Sequence, residues 1–359
     1  MHGARFKFVI NRRQQSYGTW RIFDYQKICR DLKYSLPSIE RIRFNRKVDF
    51  SVVVPAYRTP DALLKRCIDS ILAQKDQYKI EIVIVDSSES PSTHLQSYRD
   101  VRFIFPHKRM LAGEARNFGA KQTTAEFLIF LDSDCVWNGG WLQNALAFIK
   151  ARPNGLAANG LILFENSHPS WALSLHLLEF HEFLSSRSQH QRFLHSGNLL
   201  IRRSFFETLG GFMNDWLACE DIALLKAVHN SEKVRNEIYF VPGLSITHLE
   251  HLTNPNMIHK KVKFMGYWRG FYDSELPLAL QISKKRLLTR SAPLLAIAFF
   301  GIILIRSLRL RSIYLASLFW NAPRIFWLSY LWATEFIMGA KHSKNRSTPL
   351  NLDSLFPTR

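Results

Sequence analysis

Two acids one residue apart, Asp132 and Asp134, close the run Phe130-Leu-Asp-Ser-Asp. In an extended segment residues i and i+2 point the same way. Both carboxylates can therefore converge on one divalent cation, with Ser133 facing away or offering its backbone to a ligand. Hard oxygen donors suit Mg2+ or Mn2+ bridged to substrate phosphates. The plainer reading of the same residues is a solvated turn. A second acidic pair, Glu220-Asp221, follows Gly210-Gly211-Phe212 and precedes Ile222, Leu224, Leu225 and Val228 at helical spacing. Two acids at a helix start favour the helix dipole. Held beside an acceptor hydroxyl, one of them can act as general base. His248 can complete a metal shell through an imidazole nitrogen, and His251 competes with it. Arg116, in Gly113-Glu-Ala-Arg-Asn-Phe-Gly119, offers a guanidinium fork suited to a phosphate.

The surrounding pattern shows how these residues are positioned. Phe50-Ser-Val-Val-Val54 is a β-branched run ended by Pro55. A helix follows, with Thr59 able to cap it, Pro60 in its first position, and Leu63, Leu64, Cys67, Ile68, Ile71 and Leu72 at helical spacing. Ile80–Val85 reads as a strand stopping at Asp86, Val101–Phe105 as a third strand, Gly113–Ala120 as a helix, and Phe127–Leu131 as a fourth strand ending at Asp132. Apolar strands alternating with helices predict an α/β fold with a mostly parallel, Rossmann-like sheet covered on both faces. Ligands bind beyond the carboxyl ends of such strands. Pro55, Asp86 and Asp132 all sit there and define one candidate site. Trp171, Leu175, Leu178 and Phe180–Phe183 form an aromatic stretch that reads as core packing or as a helix facing an acceptor or a membrane.

The chain has 359 residues, enough for about two domains. Apolar residues at 47% and charged residues at 21% exclude global disorder. The net charge of +19 is unevenly spread. Residues 1–48 carry a net +9 and residues 281–359 a net +10, while 49–280 are neutral. A neutral body argues against a nucleic-acid-binding domain. Basic ends on a chain with nine Trp and 27 Phe fit an anionic membrane surface better. Cys29, Cys67, Cys135 and Cys219 show neither disulfide nor zinc spacing, as expected for reduced thiols in the cytoplasm. The N-terminus has no apolar signal-peptide core.

Four segments are expected: a basic arm at 1–48, the α/β body at 49–280, a membrane-associated helical region at 281–345 and a polar tail at 346–359. Residues 292–305 are apolar and uncharged but short of the roughly 20 needed to span a bilayer. Basic residues precede them (Lys284, Lys285, Arg286, Arg290), follow them (Arg306, Arg309, Arg311) and recur after 313–340 (Lys341, Lys344, Arg346). Positive charge on all three connections favours amphipathic or re-entrant helices lying in the cytoplasmic leaflet over a spanning hairpin or a buried soluble helical pair.

No GxxxxGK[ST] or GxGxxG occurs, which argues against a P-loop NTPase and a dinucleotide fold. In their order, the blocks between Ser51 and Gly270 resemble family 2 glycosyltransferases of the GT-A fold, of the membrane-associated bacterial type. Ser-Val-Val-Val-Pro-Ala-Tyr57 resembles the family's opening strand and nucleotide-contacting turn. The resemblance implies that Pro55, Ala56, Tyr57, Asp86, Arg116, Asp132 and Ser133 bind a nucleotide sugar. It implies that Asp132, Asp134 and His248 hold Mn2+ or Mg2+, and that Gly197 and Asn198 belong to the acceptor side. Asp221 matches the family's base, with Glu220 orienting the acceptor or supporting Asp221. Where the family commonly has two acids and Gly-Ser after its second strand, Asp86 is followed here by Ser87-Ser88, which obscures the base specificity.

The function implied is inverting, metal-dependent transfer from a nucleotide-diphospho-sugar to a hydroxyl of a saccharide or lipid-linked saccharide, at the cytoplasmic face of the membrane. Two alternatives remain at this stage. One is a catalytically degenerate membrane scaffold, against which the intact acids argue. The other is a nucleotidyltransferase on a related fold, which would want a Gly-rich basic loop where Pro55-Ala-Tyr-Arg-Thr-Pro60 has no glycine.

Overall fold

Strand β1 (Phe50–Ala56) carries the β-branched run and is buried except at Pro55. It lies between β2 (Ile80–Asp86) and β4 (Phe127–Leu131), parallel to both, and β3 (Val101–Ile104) pairs outside β2. Their near-continuous apolar runs are what a sheet covered on both faces requires. β1 runs past the predicted stop: Pro55 pairs with Val85 and Ala56 with Asp86, whereas pairing with β4 ends at Val53. At Pro55 only one neighbour remains, so the missing N–H is tolerated. The computed structural model describes residues 50–344 apart from 76–77, 91–92, 167, 185–188, 191–193, 225–231, 250, 277–280, 283–288, 290 and 309–313. The basic arm, the polar tail and the basic residues Lys284, Lys285, Arg286, Arg290, Arg309, Arg311 and Arg346 lie outside the described residues.

Helix α1 (Asp61–Leu72) follows β1 and buries Leu64, Cys67, Ile68 and Ile71. Pro60 stands at its N-cap and no side chain caps it. The expected cap, Thr59, instead has its Oγ1 2.7 Å from Oγ of Ser133, which ties the β1 loop to the acidic turn. Helix α2 (Ala112–Lys121) packs on β1 and β2. A Cβ on its Gly119 would lie 2.4 Å from Val53 Cγ1, so only glycine permits this approach to the sheet.

Beyond β4 the sheet becomes mixed. β9 (Asn198–Arg202) runs antiparallel between β4 and β6 (Ala157–Asn159); β10 (Ile238–Phe240) and β8 (Gln189–His190) complete the order β3-β2-β1-β4-β9-β6-β10-β8. Six strands run one way and only β9 and β8 oppose them. A second sheet joins β5 (Cys135–Trp137), β11 (Ile246–His248) and β7 (Ile162–Phe164) in the order β5-β11-β7. Its register sets His248 opposite Cys135, one residue after Asp134.

Helices α3 (Trp141–Ala151) and α4 (Trp171–Phe180) cover the later half. Eight of the ten residues of α4 are buried, which supports the core reading of this aromatic stretch. Three short helices follow: α5 (Arg203–Thr208), α6 (Glu220–Leu224) and α7 (Glu232–Arg235). The C-terminal helices are α8 (Pro255–Phe271), α9 (Ala292–Leu308) and α10 (Tyr314–Lys344). Leu173 and Leu177 of α4 share one apolar core with Ile258, Leu295, Leu328 and Phe336 of these helices. α8 and α10 meet backbone to backbone: a Cβ on Gly270 would lie 2.0 Å from the Phe336 carbonyl, and one on Gly339 2.0 Å from that of Tyr267. Among the described residues no helix is long and apolar enough to cross a membrane.

Candidate functional site

The carboxyl ends of β1 and β4 open into one cleft of about 880 Å3. Pro55, Ala56 and Tyr57 line it. The Tyr57 hydroxyl donates to Glu89 at 3.0 Å, and the Arg109 guanidinium lies 4.8 Å from the centre of its ring. Asp86 does not line the cleft; Ser87 does. Asp86 is buried and its Oδ1 accepts from the backbone N and Oγ of Ser88 at 3.0 and 2.6 Å. The carboxylate thus shapes the turn after β2.

The acidic turn is organised by Arg116. Its Nη2 donates to Oδ1 of Asp132 at 2.5 Å and its Nη1 to Oε1 of Glu220 at 2.8 Å. The side chain is only 4% exposed, and its Nε has no hydrogen-bond partner. Burial opposes the guanidinium charge, but Asp132 and Glu220 outweigh it and hold the group charged more firmly than usual. The fork expected on a phosphate is therefore already engaged by two carboxylates. The same engagement occupies one oxygen of Asp132, and Asp132 is not part of the cluster whose donor atoms already lie together.

Asp134, His248 and His251 form that cluster, with one possible donor atom from each within 4.8 Å of the others. His248 Nε2 and His251 Nδ1 lie 3.6 and 3.5 Å from Oδ2 of Asp134. The two histidines treated as competitors in the sequence therefore converge on one carboxylate. The sheet explains this: β11 pairs with β5, and the Leu249 N–H donates to the Asp134 carbonyl at 2.8 Å. Burial pushes the Asp134 carboxyl up, but His248, His251 and Lys261 outweigh it and hold it well below the usual range.

Glu220 and Asp221 open α6 and line the same cleft. The chain before them turns at Gly210-Gly211-Phe212. Both glycines have positive φ, 80° and 77°, where a side chain would be strained. The Asn117 amide pairs with both sides of Phe212, accepting from its N–H at 2.9 Å and donating to its carbonyl at 2.8 Å. Burial raises the Glu220 carboxyl above the ordinary value, and the charge of Asp221 raises it further against the pull of Arg116. Burial likewise raises Asp221, only partly offset by the backbone donors of Ile222 and Ser196 and by Arg116. A carboxylate of raised pKa facing a cleft is a stronger base than a solvated one.

Asn198, expected on the acceptor side, does not line the cleft. It is 1% exposed, its Oδ1 accepts from Trp141 Nε1 at 3.1 Å, and its Nδ2 donates to the Leu244 carbonyl at 2.8 Å. It locks β9 to α3 and to the loop before β11. Gly197 serves close approach: a Cβ there would lie 2.3 Å from Oδ2 of Asp132. Sequence reasoning missed Glu179, Lys261 and His195, which also line the cleft. Lys261 Nζ lies 2.8 Å from Glu179. Nδ1 of His195 accepts from the Gly197 N–H at 3.0 Å, and burial pushes its pKa down, so the ring is neutral with its proton on Nε2. Only proximity to Gly197 in the sequence hinted at His195; Glu179 and Lys261 gave no local signal. The described thiols Cys67, Cys135 and Cys219 are free, and burial pushes the Cys219 thiol up to about 12. Cys29 lies outside the described residues.

Comparison with known proteins agrees with this geometry. Residues 51–210 match the family described as Glycosyl transferase family 2. Glycosyltransferase AglE of Haloferax volcanii is 23% identical over 185 residues, 48% of this chain and 58% of its own length. The O-antigen biosynthesis protein RfbC of Myxococcus xanthus is 27% identical over 244 residues, 62% of this chain but 18% of its own length. The chain thus spans only part of each of these relatives. Among solved structures, the mannosyltransferase PcManGT from Pyrobaculum calidifontis, in complex with GDP-Man and Mn2+, shares the fold with a TM-score of 0.53. It is 17% identical, and the match covers 91% of this chain and 95% of that one.

Proposed function

We propose that this chain, whose residues 51–210 match glycosyl transferase family 2, moves a sugar from a nucleotide-diphospho-sugar to a hydroxyl of a saccharide or lipid-linked saccharide, inverting the anomeric centre. One observation carries the reading: a single cleft gathers the acidic turn after β4 and the Glu220-Asp221 pair, joined through Arg116.

The residues present fit a divalent cation. Asp134, His248 and His251 offer one oxygen and two nitrogens close together, with His248 Nε2 and His251 Nδ1 at 3.6 and 3.5 Å from one oxygen of Asp134. Two imidazoles and one carboxylate are a softer set than the oxygen shell that Mg2+ demands, so Mn2+ fits better. The mannosyltransferase of shared fold holds Mn2+ with GDP-Man, which supports the same donor class and ion here. When bound, the ion supplies charge neutralisation at the leaving nucleotide diphosphate.

The chain's own residues do the rest. Pro55, Ala56 and Tyr57 form the wall against which the nucleotide rests. Asp221 takes the proton from the acceptor hydroxyl at a carboxylate oxygen as that hydroxyl attacks the anomeric carbon. Glu220 stays paired with Arg116 and holds α6 in place. Asp132, fixed by the same arginine, presents its second oxygen to the donor.

The reading extends to the cytoplasmic face of an anionic membrane. All the exposed large apolar residues among those described, from Leu294 to Met338, lie on α9 and α10, with Phe319 76% and Trp320 68% exposed. An apolar patch beside basic residues suits an interfacial surface.

The test is nucleotide diphosphate release from a panel of nucleotide sugars with a saccharide and lipid extract as acceptor. Release from one donor, dependent on Mn2+, is expected. Absence of both release and donor binding across the panel would return the chain to the scaffold alternative.

A further inference from the structure

The cleft is larger than the donor machinery. From Asp221 it continues along α9, where Leu295, Ala298, Phe299, Ile302 and Arg306 line it. These positions recur three and four residues apart and so form one stripe of the helix. Across from them stand Phe264, Met265 and Trp332. The α9 stripe is apolar until Arg306, which pairs with Glu182, while His181, Lys261 and Arg269 also line the cleft. Ile302 lines the cleft and is also 42% exposed, and on the outer surface of the helix Ile297 and Ile305 are 57% and 56% exposed. The cleft therefore opens onto the exposed apolar face of α9.

We propose that the α9 stripe is the subsite for the hydrocarbon chain of a lipid-linked acceptor, whose hydroxyl-bearing head reaches Asp221 while the chain leaves past Ile302. This rests on the transferase reading and narrows its acceptor to the lipid-linked class. A free saccharide needs hydrogen-bonding groups along its length, and the α9 stripe offers none before Arg306. An alkyl chain needs none and gains affinity by leaving water, about fourfold for each methylene buried. Continuity with the catalytic carboxylate selects the tail of an acceptor over that of a bulk bilayer lipid, since only an acceptor gains from having its head at Asp221.

The probe is dodecyl β-glucoside with a terminal diazirine, photolysed with the full chain, Mn2+ and the nucleotide sugar that binds, and mapped by mass spectrometry. The expected label lies on Leu295, Phe299, Ile302 and Trp332. Ile302→Glu should lower it about tenfold, the loss of roughly two buried methylenes. Ile305→Glu, on the outer face, should leave it within about twofold. Equal effects of the two variants, or label spread evenly to Phe319 and Trp320, overturn the subsite. Equal labelling of the stripe by diazirine phosphatidylcholine vesicles also overturns it in favour of a bilayer-lipid site. Donor binding is scored in the same samples: donor bound with no stripe label sinks the subsite alone, whereas no donor bound sinks the transferase reading beneath it.

Discussion

Arg116 donates to Asp132 at 2.5 Å, and through its other terminal nitrogen it reaches Glu220 at 2.8 Å. The first acid of the Asp-Ser-Asp turn is thus held by a protein cation that also holds the neighbour of the proposed base. A change at Arg116 therefore reaches both halves of the site at once.

Replacing Arg116 with Met should leave two half-buried carboxylates without their shared partner. Breaking such a buried pair costs about 3–5 kcal/mol. Arg116→Lys should recover only part of this, because one ammonium cannot reproduce the fork. Denaturant unfolding of the purified chain checks both; variants as stable as the parent would mean that the node is incidental.

Asn198→Ala should behave as a core mutation. It strips partners from the Trp141 indole N–H and the Leu244 carbonyl, at about 1–3 kcal/mol for each group left unsatisfied. Unfolding should shift while the acceptor KM of the folded fraction stays put. A raised KM with unchanged stability would restore the acceptor role that the sequence suggested.

These first two cases show where legibility ends. The strands β1, β2 and β4 could be read because each is a buried apolar run, and the acidic turn could be placed because it directly follows one. Glu220-Asp221 and His248 stood out as local chemistry. Arg116 was visible as a fork, but not that its partner Glu220 lies 104 residues away. Asn198 was placed on the acceptor side by the family resemblance alone; its partners Trp141 and Leu244, 57 and 46 residues off, could not be seen in the sequence. Thr59 had the right type for a cap, yet tertiary contact with Ser133 claimed it. The strands β5, β7 and β11, three residues each, are too short to show a period, so the sheet joining His248 to Asp134 left no trace in the sequence.

The proposed ion should depend on His251 as well as on Asp134. Titration of Mn2+ followed by electron paramagnetic resonance should show binding weakened about tenfold or more by either Asp134→Asn or His251→Ala. Mg2+ should compete poorly for the same site. If His251→Ala binds Mn2+ like the parent while Asp132→Asn does not, the originally expected Asp132–Asp134 pair holds the ion instead.

Membrane association should respond to the outer face of the C-terminal helices. Phe319→Ser combined with Trp320→Ser should weaken co-sedimentation with anionic vesicles about tenfold or more, given the apolar area that two such rings bury. Added salt should weaken the parent's binding as basic residues are screened. Unchanged sedimentation of the double variant would remove this face from the account.

The central claim is that Asp221 accepts the proton. Its folded pKa is raised above the ordinary 3.8 by burial. The fold therefore favours the protonated form, and its stabilising effect is full below the unfolded value and is lost as pH rises through the folded one. Asp221→Asn should accordingly be at least as stable as the parent at neutral pH. In the parent, kcat/KM should fall on the acid side at a pKa above the ordinary aspartate value. The deciding measurement is steady-state transfer by Asp221→Asn beside donor affinity in the same preparation. The account predicts a kcat lower by about 10²–10⁴ with donor affinity within about twofold. A variant that keeps its kcat, or loses donor binding and transfer in equal measure, would contradict it.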